Sequence, residues 1–419
     1  MNDLASARFS YDPFAKEVLK NPVPFYRELR ANHPGYYVEK YDMYVFTRFQ
    51  DIIDVLSVVG DNVFVASESS LPMPGMISHK NNGAPPLPPT NPIGPGPTLP
   101  SPVYEEMRQA HIAPLRPKAV ASLEGFVRDL VHDRLRKLLP RGKFDVMGEY
   151  GGMVSAAVTC HLFGIPLSET EGVLNAVNAI SSYNEDLEAV NTPGMFEQLR
   201  KYIVPAIQRR RAAGADGSVP LIDGMINHRT KAEGRALTDD EISDQLVCAF
   251  VANTETPPKP AGQGLLALAR HPDQLAAVRE DLDRNVPIAV EEMLRICTTA
   301  QWVIRTAHKD VTVAGVHIKA GQRVLVSPYS AARDEREFEN ADQFIWNRKI
   351  RRSLAFGYGQ HHCIGNHIAR LQIRTLVREF LAHVPSFEFD MNEAKHSASY
   401  FHWGYTKLPV IVKEYTLPS

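Results

Sequence analysis

Apolar residues recur at helical spacing late in the chain. Ile364, Ile368, Leu371 and Leu376 mark one face of a run from Ile364 to Ala382, and the run stops before Pro385. A second long run opens at Thr238-Asp239-Asp240-Glu241, where Thr238 and Glu241 have the spacing of a capping box. It continues through Ile242, Leu246, Val247, Phe250 and Val251 and then meets Pro257, Pro258 and Pro260. Prolines lack the amide and clash with the preceding turn, so the helix should kink or end there. From Ala121 to Asp240 the pattern is mostly amphipathic helix, and Gln208-Arg209-Arg210-Arg211 reads as a basic helix end before Gly214. Strand-like stretches are fewer: Tyr44 to Thr47, Gln301 to Arg305, Val311 to Val326 with a turn at Lys319-Gln322, and Leu408 to Val412. In the second of these, period-2 alternation puts Gln301, Val303 and Arg305 on one face.

One segment fits neither period. Residues 67–102 are rich in Pro, Gly, Ser and Asn, including Gly83-Ala84-Pro85-Pro86 and Pro92-Ile93-Gly94-Pro95. A long loop inside a compact enzyme is more often a lid or binding loop than a linker. Met73, Met76, Ile77 and Leu87 are its apolar residues that could reach inward.

Composition narrows the classes. The chain has 419 residues, 44% hydrophobic and 22% charged, with a net charge of -2. That size allows a core large enough to enclose a cofactor. The charge gives no bulk attraction to nucleic acid or to an anionic membrane. No window has the apolar length to span a bilayer, and Met1-Asn2-Asp3-Leu4 lacks the regions of a secretory leader, so the expectation is a cytoplasmic protein. Cys160, Cys248, Cys297 and Cys363 show no paired spacing, which argues against a disulfide framework.

The chemistry concentrates at Phe356-Gly357-Tyr358-Gly359-Gln360-His361-His362-Cys363-Ile364-Gly365. A thiol just before a helix sees the positive end of the helix dipole, which favours thiolate. Gly357 and Gly359 allow tight turns, and Gly365 leaves room for something flat. A lone thiolate so held suits axial ligation of haem iron. A zinc site built from His361, His362, Cys363 and His367 is disfavoured, because zinc wants four closed ligands and the spacing with Gly357 and Gly359 fits haem better.

The pattern F-G-x-G-x-H-x-C-x-G closely resembles the haem-binding loop of the cytochrome P-450 family. Further motifs follow the family order. Tyr104, Arg108, Leu115 and Pro117 resemble its H-x-x-x-R element with F-x-P, Tyr104 standing where the histidine is usual. Ala252-Asn253-Thr254-Glu255-Thr256 resembles A-G-x-[DE]-T, with Asn253 in place of a small residue. Glu292 and Arg295 match E-x-x-R, which the family pairs with a later arginine, here Arg348.

The resemblance implies a mainly α fold, the cytochrome P-450 fold, as one domain over residues 1–419 with small β-sheets enclosing haem b (iron protoporphyrin IX). Residues 67–102 become its substrate-access loop. The implied reaction inserts one atom of dioxygen into a small hydrophobic organic substrate. Cys363 is the implied iron ligand, with Phe356 and Gly357 in its loop. Arg108, Tyr104, Arg305 and His361 are the implied propionate partners. Thr256 and Glu255 would deliver protons, with Asn253 beside them touching ligand or water. Val251, Gln301, Val303, Phe401 and His402 would meet the substrate. Gln301 and His402 are its polar handles, which favours a small aromatic or terpenoid-like molecule bearing a polar group. Glu292, Arg295 and Arg348 would be structural.

No flavin or iron–sulfur motif is present, so electrons should come from a ferredoxin or similar redox partner. Arg348, Lys349, Arg351 and Arg352 suggest a basic docking face for it. The protein is expected to act as a monomer, without nucleic acid or membrane. Asn253 and the prolines keep a second class open: a haem-binding sensor or carrier of the same fold that does not oxygenate. A peroxygenase is a third reading, but those enzymes tend to lack the acid–threonine pair.

Overall fold

The computed structural model describes residues 9–57, 63–66, 93, 96–181, 192–398 and 402–419. Most of the access loop, with Met73, Met76, Ile77 and Leu87, lies outside these residues, as does Phe401.

The helical expectations hold, and the architecture is mainly α. The late run forms a helix at Asn366–His383 that buries Ile368, Leu371 and Leu376. The capping box forms as the spacing predicts: Glu241 N–H donates to Thr238 Oγ1 at 3.1 Å, and Thr238 N–H to Glu241 Oε2 at 2.8 Å. That helix runs over Asp239–Glu255, and a second begins at Pro258 and runs to Ala269. Thr256 and Pro257 keep helical dihedrals, but Pro257, Pro258 and Pro260 offer no N–H, so the hydrogen-bond ladder breaks there. Just before the break the Ala252 carbonyl accepts twice from Thr256, from N–H at 3.2 Å and from Oγ1 at 2.8 Å.

The largest apolar core is shared by these helices with Glu124–Leu138, Met153–Leu162 and Leu282–Ile296. Among the described residues, no helix is long and apolar enough to cross a membrane. The main sheet has five strands in the order Tyr36–Val38, Met43–Phe46, Arg323–Val326, Val303–Ala307 and Phe64–Val65. Its central contact is parallel, Tyr44 opposite Val324, and Ile304 lies opposite Leu325 in the antiparallel pair beside it.

The Glu292, Arg295 and Arg348 expectation matches the geometry. Glu292 is fully buried and receives Arg295 Nε at 2.6 Å and Arg348 Nε at 3.1 Å. Arg295 also donates to the carbonyls of Ala341 and Gln343, at 2.8 and 3.0 Å. The trio thus fastens the Leu282–Ile296 helix to the loop leading towards Cys363. The basic end at Gln208–Arg211 is structural too: Arg210 pairs with Asp223 and Arg211 with Asp239, at 2.8 and 2.6 Å.

Candidate active site

The loop from Phe356 to Gly365 holds itself in shape. Cys363 N–H donates to the Phe356 carbonyl at 2.9 Å, Gly357 N–H to Leu354 at 2.9 Å, and His362 N–H to Gly359 at 3.0 Å. Gly357 and Gly359 both sit at φ +69, where a β-carbon is costly. A β-carbon on Gly359 would also overlap the Leu56 carbonyl oxygen. Phe356 lies under the Arg370 guanidinium, 4.5 Å from its ring centre, and Arg370 is anchored to Glu291 at 2.7 Å.

Cys363 lines a cavity of about 430 Å³ between this loop and the Asp239–Glu255 helix. Burial pushes its thiol up, while the Gly365 amide and the charges of Arg108 and Arg370 work in the other direction. The helix-terminus effect expected from the sequence is present but smaller than burial. A metal bound there would make the thiolate, since a coordinating thiol is deprotonated outright.

Two arginines line the cavity beside this loop. Arg108 Nη2 donates to the His362 carbonyl at 2.7 Å, and its Nη1 to Tyr104 Oη at 2.9 Å. The Tyr104 ring lies 4.1 Å from the His361 ring. Burial, then Arg305 and Arg108, pull His361 down to about 3, so its imidazole is neutral at pH 7. Arg305 is 6% exposed, and burial pulls it down to about 10. Its Nη1 donates to the Ile304 carbonyl at 2.7 Å, and among the described residues no carboxylate forms an ion pair with it. A buried guanidinium without a counter-ion is costly and calls for an anion. The other side of the fit is at Gly365. An added β-carbon would meet protein only at ordinary contact distance, 3.7 Å from Ile368 and 3.8 Å from Cys363 Sγ. Its bareness serves what enters the cavity. A thiol, two arginines that lack an acid and an open glycine step fit a flat dianionic haem.

The distal side departs from the sequence reading at several points. The cavity face of the Asp239–Glu255 helix carries Cys248, Ala249, Ala252 and Asn253, with Thr256 at its end. Val251 is not on that face: helical spacing back from Thr256 selects positions three and four residues away and turns Val251 aside. Asn253 lines the cavity, but its amide is committed within the protein. Nδ2 donates to Thr159 Oγ1 at 2.8 Å, and Oδ1 accepts from Gln372 Nε2 at 3.0 Å. The side chain that looks too large for its place in the motif thus ties three helices together.

Glu255 does not line the cavity. Its Oε1 receives Lys259 Nζ at 2.6 Å and His402 Nδ1 at 2.7 Å. Burial alone would push the carboxyl up, but His402 and Lys259 more than reverse this and hold it below the ordinary carboxylate range. Burial keeps His402 below its usual value despite Glu255, so a neutral ring donates from Nδ1. His402 reaches the cavity wall as expected, but this nitrogen serves Glu255 rather than a ligand.

Gln301 is the clearest miss. It is fully buried away from the cavity, its Oε1 accepting from Tyr26 Oη at 2.9 Å. The strand starts only at Val303, so the alternation that places Val303 and Arg305 on the cavity wall does not extend back to Gln301. Ala300 pairs with His402 in an isolated bridge, and Trp302 turns into a separate aromatic cluster. Lys259 went unread, although its spacing of four from Glu255 marks a helical ion pair.

The basic docking face is also reduced. Arg348 is spent on Glu292, and Arg352 pairs with Glu337. Lys349 and Arg351 remain exposed, with no ion pair among the described residues. All four cysteines are free.

Comparison with known proteins bears on the family and the fold. The family model described as Cytochrome P450 matches residues 192–413. The chain is 31% identical to Cytochrome P450 130 of Mycobacterium tuberculosis over 393 residues, covering 89% of this chain and 90% of that one. It is 25% identical to the Biotin biosynthesis cytochrome P450 of Bacillus subtilis over 402 residues, covering 94% and 97%. Among solved structures, the Mycobacterium marinum cytochrome P450 CYP268A2 superposes with a TM-score of 0.83 at 22% identity, covering 97% of this chain and 99% of that chain.

Proposed function

The chain belongs to the cytochrome P450 family, and from that premise we propose that it hydroxylates, or similarly oxidises, a small apolar organic substrate with electrons from a separate ferredoxin or similar reductase. Haem is its cofactor and monooxygenation its general reaction. When bound, the haem supplies dioxygen activation, with a thiolate ligand favouring O–O cleavage.

Each residue then has one task. Cys363 presents its sulfur to the metal. Arg108 and Arg305 would hold the propionates, with Tyr104 bonded to Arg108 and packed on neutral His361. Thr256 holds a proton at Oγ1 on the cavity wall. Glu255 stays ionised between Lys259 and His402 and does not reach the cavity, so a proton passing inward from it runs through His402, which lines the wall. Val303, Ala249 and Ala252 give the substrate an apolar wall. With Gln301 buried elsewhere and His402 engaged by Glu255, neither supplies the polar handle that the strand pattern suggests, and the preference is for a substrate held by shape and apolar contact. Residues 1–419 act as one unit in this reading.

The observation that carries it is the placement of Cys363 around one cavity with two arginines that meet no acid among the described residues. The test is turnover of candidate substrates with a surrogate ferredoxin and reductase under labelled dioxygen. One labelled oxygen atom in the product supports the proposal. Haem that reduces normally yet never gives labelled product, across substrates that shift its spin state, would return the reading to a non-oxygenating carrier.

A further inference from the structure

Three potential ligands converge far from the haem cavity. His132 lies on the Glu124–Leu138 helix, and Glu379 and His383 stand one turn apart near the end of the Asn366–His383 helix. Glu379 Oε2 lies 2.8 Å from His132 Nε2 and 3.7 Å from His383 Nε2, and all three ligand atoms fall within 4.8 Å of one another. Ligand atoms around a tetrahedral zinc ion, at roughly 2.0–2.1 Å from the metal, are about 3.3 Å apart. The two Glu379 separations lie within about half an ångström of that spacing, and the His132–His383 separation is within 4.8 Å.

The surroundings support the ligand role. His383 is oriented from behind: its Nδ1 faces Thr416 Oγ1 at 3.4 Å, and Thr416 N–H donates to the His383 carbonyl at 2.9 Å. Fixing the second ring nitrogen in this way is how proteins aim a histidine at a metal. Glu379 is 2% exposed, and its two oxygens divide the work. Oε1 takes Arg378 Nη1 at 2.8 Å and Arg128 Nε at 3.7 Å, leaving Oε2 to the imidazoles. Both arginines are shared, Arg128 with Glu124 at 2.6 Å and Arg378 with Asp283 at 2.7 Å. Two cations thus face three carboxylates, and one negative charge remains for a bound cation.

We propose that His132, Glu379 and His383 form a binding site for one divalent ion of the zinc class, which clamps the Glu124–Leu138 helix to the end of the helix that begins behind Cys363. Two imidazoles and a carboxylate are a zinc-type donor set, with water completing the tetrahedron. The site lies about 20 Å along the helix from its start near Cys363, so the ion is structural and separate from the haem.

The experiment uses tag-free, haem-loaded protein stripped with a chelator and titrated with zinc chloride by calorimetry. One saturable equivalent with a Kd on the order of micromolar or tighter is expected, together with a rise in melting temperature on adding zinc. His132→Asn and His383→Asn should each weaken binding by about a hundredfold, with the haem spectrum unchanged. No saturable equivalent, or equal uptake by the wild type and both variants, means an adventitious ion only and overturns the proposal. Should either variant lose haem, zinc-edge X-ray absorption on the wild type decides. A shell containing two imidazoles supports the site, and any other shell overturns it.

Discussion

Replacing Lys259 by Met isolates the buried charge beside the cavity. Glu255 loses the partner 2.6 Å away and keeps His402 at 2.7 Å. Removing one partner of a buried pair typically costs ~3–5 kcal/mol, because the remaining charge stays desolvated. Unfolding entropy of roughly 2.1 cal/mol/K per residue over a chain of this length gives about 0.9 kcal/mol/K, so ~4 kcal/mol lowers the melting temperature by about 4–5 °C. The loss should also depend on pH. With Lys259 gone, one of the causes that lowers His402 is removed, so its pKa lies higher in the variant than in the wild type. A histidine whose pKa is lowered on folding costs stability as pH falls below its unfolded value, because the unfolded ring takes up a proton that the folded ring resists, and that cost is smaller in the variant. The variant should therefore be closer to wild type at pH 6 than at pH 8. Thermal unfolding followed by circular dichroism and by the haem band reads both effects. A variant as stable as wild type at pH 8, or a loss that is flat across this window, refutes the reasoning.

Three other outcomes follow from the same geometry. Arg305→Gln removes a charge-assisted contact of ~1.5–3 kcal/mol, so haem should transfer to an acceptor globin about ten- to a hundredfold more readily; an unchanged transfer rate counts against the anion clamp. Gly359→Ala meets both a positive φ and the Leu56 carbonyl, so the purified protein should carry markedly less haem, as read from the ratio of haem to protein absorbance. Charge reversal at Lys349 and Arg351 should slow reduction by ferredoxin by about tenfold at low salt and flatten its salt dependence, whereas Arg352→Glu, which mainly breaks the pair with Glu337, should change stability more than rate.

Local motifs carried most of the site. The Cys363 loop, the Thr238 capping box and the Glu292–Arg295 pair are each short-range, and each forms as its spacing dictates. What sequence missed depends on where faces turn or on contacts between distant segments. Gln301 was placed by extending a strand two residues too far; a bridge to His402 and the packing of Trp302 redirect the chain there. Val251, expected at the substrate, lies off the cavity lining, and helical phase from Thr256 is the signal that excludes it. The pairing of Glu255 with His402, almost 150 residues away, had no local signal, but its pairing with Lys259 did. Asn253 looked like a defect in a motif because its partners, Thr159 and Gln372, are remote in sequence.

The central claim is that Cys363 binds haem iron as a thiolate. It is tested most directly by the visible spectrum of the purified protein, reduced and then exposed to carbon monoxide. The account predicts a strongly red-shifted Soret band that Cys363→Ser abolishes. Haem with an ordinary, unshifted band, or a shifted band that survives loss of Cys363, would contradict it.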